Sequence, residues 1–241
     1  MSVVAFTGLH GSPGATTLAV AVAHRWASVT GRDPILVEVD PDGGVIAARH
    51  QIGLIPGLTE LAGSARLGID ALDLAERAQR FPSGIAVVPA HPSSDRTQAA
   101  LRAAAGHLAQ AFAGLTDADV LLDVGRIRPG SPALPLLETV DRLVVVVRPV
   151  AELLVVTINR LEMLSQFAPI EVVAVGTKPY GPADVARALG VDGVLSVPDD
   201  APAVQSDPGA AKSTRKGWSS AVNAVVERLA PPADALEVVA A

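Results

Sequence analysis

The sequence predicts an α/β fold: a mostly parallel, twisted sheet of about seven strands with helices on both faces. Three stretches carry that reading. The apolar run Val3-Val4-Ala5-Phe6 passes through a glycine-rich loop, Gly8 to Thr17, into an alanine-rich segment with helical spacing, so the chain opens as strand, loop, helix. A second apolar run, Ile35-Leu36-Val37-Glu38-Val39, closes on Asp40-Pro41-Asp42-Gly43-Gly44. A third, Val120-Leu121-Leu122-Asp123-Val124-Gly125, again ends in an acid and a glycine. Open α/β sheets bind ligands at the carboxyl ends of their strands, so the three strand ends predict one site.

The remaining elements follow in order. Thr16 to Thr30 reads as the first helix, closed by Gly31, which supplies the left-handed residue that ends a helix. Short helical pieces fill 47–81, punctuated by Pro56-Gly57 and Gly68. Gly84 to Val88 is a strand ended by Pro89, and a long helix runs from about Asp95 to Phe112 with Ser94 or Asp95 as its cap. His91 and His107 read as surface or capping residues, not as metal ligands, because no carboxylate stands at ligand spacing from them. Strands at Leu143–Val147, Glu171–Val175 and Val194–Val197 alternate with helices to Phe167, over Gly181–Leu189 and over Trp218–Leu229.

Composition bounds the rest. A chain of 241 residues that is 49% apolar but only 3% aromatic builds its core from Ala, Val, Leu and Ile, as suits buried parallel strands. Residues 1–230 read as one domain and 231–241 as a flexible tail. With no cysteine there is no disulfide framework and no thiolate zinc site. A net charge of −6 gives no general attraction to nucleic acid, and strong nucleic acid binding is not expected. The one basic cluster, Lys212, Arg215 and Lys216, is too small for it. No run reaches the length of a spanning helix, and "PPADALEVVAA" is not a basic amphipathic anchor, so a cytoplasmic chain is expected.

The loop Gly8-Leu9-His10-Gly11-Ser12-Pro13-Gly14-Ala15-Thr16-Thr17 has the placement of a phosphate-binding loop, in which main-chain N–H groups and the helix's positive end hold an anion. Against G-x-x-x-x-G-K-[ST], Ala15 stands where a lysine should reach the β- and γ-phosphates. Pro13 removes a further N–H donor. A charge-assisted hydrogen bond contributes roughly 1.5–3 kcal/mol, so the lysine's loss alone weakens nucleotide binding on the order of ten- to a hundredfold. Thr16 and Thr17 have a second reading as caps of the first helix.

With "LVEVDPDGG" after the loop strand, the chain resembles the deviant-Walker P-loop family of ParA, MinD, TadZ and CpaE, and most closely the degenerate TadZ/CpaE type. The resemblance implies that His10 stands for the signature lysine and Ala15 for the P-loop lysine, and that Glu38 and Asp40 match an acidic pair. It implies nucleotide contacts from Gly11, Ser12, Gly14, Ala15, Thr16, Thr17 and Gly125, Mg²⁺ oriented by Thr16 and Asp123, and a water positioned by Asp40. The family's adenine-contacting asparagine is replaced around Thr177-Lys178-Pro179. Arg126 and Arg128 follow the third strand and either lend charge to a phosphate or face solvent.

The resemblance implies two functions. One is a localisation or assembly factor with weak or no ATP hydrolysis, working through protein partners of a pilus, secretion, division or partitioning system, with homodimerisation and recruitment to a pole or membrane by those partners. ATP and Mg²⁺ would bind weakly and would not be required. The other is an active ATPase in which Arg126, Arg128 or a partner's arginine replaces the lysines. A small-molecule ligase or kinase of the same fold ranks behind both, because those proteins keep the lysine.

Overall fold

A computed structural model describes residues 1–65, 71–116, 118–199 and 216–230. It contains β1 (Val3–Gly8), α1 (Ala15–Thr30), β2 (Pro34–Glu38), α2 (Ile46–His50), α3 (Leu58–Ala65), α4 (Ala71–Glu76), β3 (Gln79–Arg80), β4 (Ala86–Val88) and α5 (Ser94–Gly114). There follow β5 (Asp119–Arg126), a 3₁₀ turn (Leu134–Thr139), β6 (Arg142–Val147), α6 (Ala151–Ser165), β7 (Ile170–Val175), α7 (Pro182–Leu189), β8 (Val194–Val197) and α8 (Lys216–Leu229).

The strands form one sheet in the order β3-β4-β2-β5-β1-β6-β7-β8. All neighbours are parallel except β3 and β4, so the sheet is mostly parallel, with eight strands where the sequence predicts about seven. The additional strand is a two-residue antiparallel edge, too short to leave a periodic signal. β1 lies at the centre between β5 and β6, and β2 lies beyond β5. The carboxyl ends of β1, β2 and β5 therefore converge where the glycine-rich loop leaves the sheet.

Side chains alternate across the sheet and divide the core in two. Val3 and Ala5 of β1, with Val37 and Leu122, face a layer containing α3, α5, α6 and α7. Val4 and Phe6, with Leu36 and Leu121, face α1 and α8, where Leu18, Val22 and Trp26 meet Val222 and Val226. The alanines at 19, 21 and 23 let α1 lie close to the strands, which seats its N-terminus directly over the end of β1.

Helix ends correct two details. Gly14, not a threonine, is the N-cap of α1, at φ 103°, and no side chain bonds the cap, so the capping reading of Thr16 and Thr17 does not hold. Ser93, not Ser94 or Asp95, occupies the N-cap position of α5, and its side chain makes no cap bond. There the turn is held by His91, whose Nδ1 accepts the Ser93 N–H at 2.9 Å and whose carbonyl accepts the Thr97 hydroxyl at 2.8 Å. Gly31 ends α1 as expected, with φ 73° and its N–H on the Ala27 carbonyl. Lys212, Arg215 and the 231–241 tail lie outside the described residues.

Candidate functional site

The loop between β1 and α1 is shaped by two left-handed glycines, Gly11 at φ 64° and Gly14 at φ 103°. Both are left-handed conformations that glycine adopts without strain. Pro13 is buried in the loop with its ring against Gly8, where a Cβ would come within 2.9 Å of Pro13 Cδ and closer still to Cγ. Gly8 is thus required by the proline, not by an anion. Ala15 is only 6% exposed and belongs to the core that α1 shares with the sheet.

Opposite the loop stand three carboxylates with different tasks. Glu38 is fully buried and accepts N–H bonds from Val45 (2.7 Å) and Ile46 (3.0 Å) at Oε1 and from Ala90 (2.9 Å) at Oε2. Burial raises its pKa against those bonds. With every donor coming from main chain, Glu38 braces the turns after β2 and β4. Asp40 accepts the Asp42 N–H at 2.8 Å, and its carboxyl lies on the Cα of Gly125, where no side chain would fit. Gly125 itself has φ 56°, so glycine is needed there twice over. Burial is the main cause that raises the Asp40 pKa, with Arg126 and Arg128 opposing it.

Asp123 is fully buried in the carboxyl-terminal half of β5. Its Oδ1 accepts the Gly125 N–H at 3.2 Å, while Oδ2 has no hydrogen-bond partner. Burial pushes this carboxyl up to about 7, the Glu38 charge adds to the rise, and the Thr16 hydroxyl opposes it. A buried acceptor left open beside a threonine hydroxyl fits a hydrated divalent cation. Thr16 and Asp123 are the residues that would hold Mg²⁺, which would offset phosphate charge at the loop. Among the described residues no group of three or more His, Asp or Glu side chains could cage a metal alone. Such a cation would therefore draw its remaining ligands from water and phosphate.

Loop, acids and strand ends line a cavity of about 650 Å³ that includes Gly11, Ser12, Gly14, Ala15, Thr16, Thr17, Asp40, Gly125 and Arg126. Asp123 is buried and not part of the lining, while His10 and Arg128 are exposed and outside it. Lys178 is exposed and outside it as well. Arg126 and Arg128 both donate to Asp42 Oδ2, at 2.8 and 3.2 Å, so their charge is already engaged. Asp42 is one site residue that sequence reasoning misses. "DPDGG" marks a strand end but carries no sign of a pairing across 84 residues. Sequence reasoning also misses Arg49, Arg148 and Asp199 as cavity residues; Arg148 and Asp199 pair with each other at 2.7 Å.

Asp42→Asn removes a negative charge from the cavity and frees two guanidinium groups. Affinity for Mg-ATP is expected to rise roughly three- to tenfold, measured by titration calorimetry. An unchanged affinity would show that neither arginine reaches the phosphates.

A glycine-rich loop between the central strand and its helix, facing an acid-ended neighbouring strand, is the layout of the P-loop type of α/β fold. More particularly, the fold is that of ParA and MinD ATPases. A ParA family ATPase from Chlorobium tepidum superposes with a TM-score of 0.74 at 15% identity, over 94% of this chain and 97% of that one. The septum site-determining protein MinD from Pyrococcus horikoshii, complexed with Mg-ADP, gives 0.70 at 14% identity over 100% and 98%. Cobyrinic acid a,c-diamide synthase from Mycobacterium smegmatis, with bound ADP and magnesium, gives 0.62 at 17% over 95% and 93%. No family model matches the chain, and no curated protein sequence matches it. No described helix is long and apolar enough to cross a membrane.

Proposed function

We propose that this chain is a ParA/MinD-like protein of the degenerate TadZ/CpaE type, which binds ATP weakly, hydrolyses it little or not at all, and acts as a localisation or assembly factor through protein contacts. One observation carries the reading. The acidic half of the site is assembled, with Asp40 on Gly125 and Asp123 beside Thr16, while the loop half holds Ala15 in the core and a proline ring on Gly8. Such a site can retain a phosphate chain through main-chain N–H groups and Mg²⁺ held by Thr16 and Asp123. It lacks the cation that would follow charge onto the γ-phosphate in a transition state. Nucleotide therefore serves shape more than turnover, and the work falls to partner proteins of a pilus, secretion, division or partitioning system and to a second copy of the chain.

Steady-state phosphate release tests this. Wild type is expected to show no turnover above the protein-free rate, and Ala15→Lys to gain measurable turnover, because the acids and glycine are already placed. Sustained turnover by wild type would sink the proposal.

A second reading, an active ATPase, is favoured by Arg126, which lines the cavity with its side chain 40% exposed. An arginine at that position stabilises phosphoryl charge once it leaves Asp42. Turnover that disappears in Arg126→Ala would support this reading over the first.

A further inference from the structure

Three arginines line the cavity, and two are committed to carboxylates: Arg126 to Asp42 at 2.8 Å and Arg148 to Asp199 at 2.7 Å. Arg49 has no carboxylate partner among the described residues. Its Nη1 lies 3.5 Å from the hydroxyl of Thr17, on the first turn of α1 beside the phosphate loop. The arm that carries it is fixed. Glu38 accepts the N–H groups of Val45 and Ile46 where α2 begins, Ile46 is fully buried, and the Arg49 N–H closes on the Val45 carbonyl at 3.0 Å. A buried acid thus holds in place the helix that aims an uncommitted guanidinium at the loop.

We propose that Arg49 is the phosphate-binding cation of this site, serving from α2 the role that Ala15 and His10 leave open. This rests on the reading of the cavity as a nucleotide site. Thr17 stands one residue beyond Thr16, about 100° further round α1, so Arg49 approaches the phosphate chain away from Asp123 and the cation side. From there it neutralises a phosphate common to nucleoside di- and triphosphates. The site therefore takes both alike, and Arg49 contributes to binding without acting on a transferring γ-phosphoryl group. Its planar fork suits a phosphate oxygen pair, which a lysine does not match.

The test is calorimetric titration of the full chain with Mg-ATP and Mg-ADP, in wild type, Arg49→Gln, Arg49→Lys, Arg126→Ala and Arg102→Ala. Arg102 lies on α5 outside the cavity and serves as the surface control. Wild type is expected to bind the two nucleotides within about threefold of each other. Arg49→Gln should weaken both by ten- to a hundredfold, with Arg49→Lys intermediate. Arg102→Ala should stay within about threefold of wild type, Arg126→Ala should lose clearly less than Arg49→Gln, and circular dichroism should show all variants folded.

The inference is overturned if Arg49→Gln binds like wild type, if Arg126→Ala shows the large loss instead, or if wild type prefers ATP tenfold or more. Wild type that binds neither nucleotide at millimolar concentration overturns it too, and leaves the proposed assembly role standing. Rapid ATP turnover that survives Arg49→Gln overturns both.

Discussion

Asp119→Ala lowers the stability of the fold by about 3–4 kcal/mol, the scale of loss that follows when a buried charge is taken from its partners. Asp119 opens β5 at the end of the sheet opposite the cavity and is fully buried. Its Oδ1 accepts the Ser2 N–H at 2.7 Å, and its Oδ2 accepts Trp26 Nε1 at 2.9 Å and Arg32 Nε at 3.2 Å. Alanine strands two buried donors and leaves a cavity among them. Arg32 is a quarter exposed and turns to water, so its share of the loss is small. Thermal melting is expected to shift by roughly 6–16 °C. A shift of less than about 2 °C would show that Ser2 and Trp26 find other acceptors.

Asp123→Asn is expected to stabilise the ligand-free protein at pH 8 and to leave it unchanged near pH 4. The folded pKa of Asp123 stands at about 7 against an ordinary 3.8. A raised carboxyl pKa means that the fold favours the protonated form. Its contribution is complete below about pH 4 and is lost as pH rises through 7. At pH 8 a buried, half-partnered carboxylate weighs against the fold by about 2–4 kcal/mol. Asparagine never ionises, and its side-chain oxygen still accepts the Gly125 N–H. Denaturant midpoints at pH 4, 6 and 8 should therefore separate progressively, the variant being the more stable. Parallel curves for the two proteins across that range would mean that Asp123 ionises without cost.

The same two aspartates show what the sequence alone makes legible. Asp123 is marked by its place at the end of an apolar strand before glycine, because strand burial forces a periodic apolar run and the acid interrupts it. Asp119 lies at the other end of that strand and carries no local sign; its partners Ser2, Trp26 and Arg32 are brought to it only by the folding of β1 and α1 around β5. The charges of the site divide in the same way. Asp40, Asp123, Gly125 and the loop glycines follow from strand–loop–helix order. The commitment of Arg126 and Arg128 to Asp42, and the approach of Arg49 to Thr17, depend on side-chain reach between strand ends. The N-cap of α1 is a further case: a threonine reads as a cap by propensity, yet the loop's curvature assigns the position to Gly14. Local pattern gives the elements, and only tertiary contact decides which charges remain available.

The measurement that bears most directly on a weakened phosphate site is titration of the wild-type chain with Mg-ATP beside Ala15→Lys. Wild-type binding in the high-micromolar to millimolar range is predicted, with Ala15→Lys tighter by ten- to a hundredfold. Wild-type binding at or below about one micromolar, unchanged by Ala15→Lys, would contradict it, for the loop would then hold nucleotide fully without its lysine.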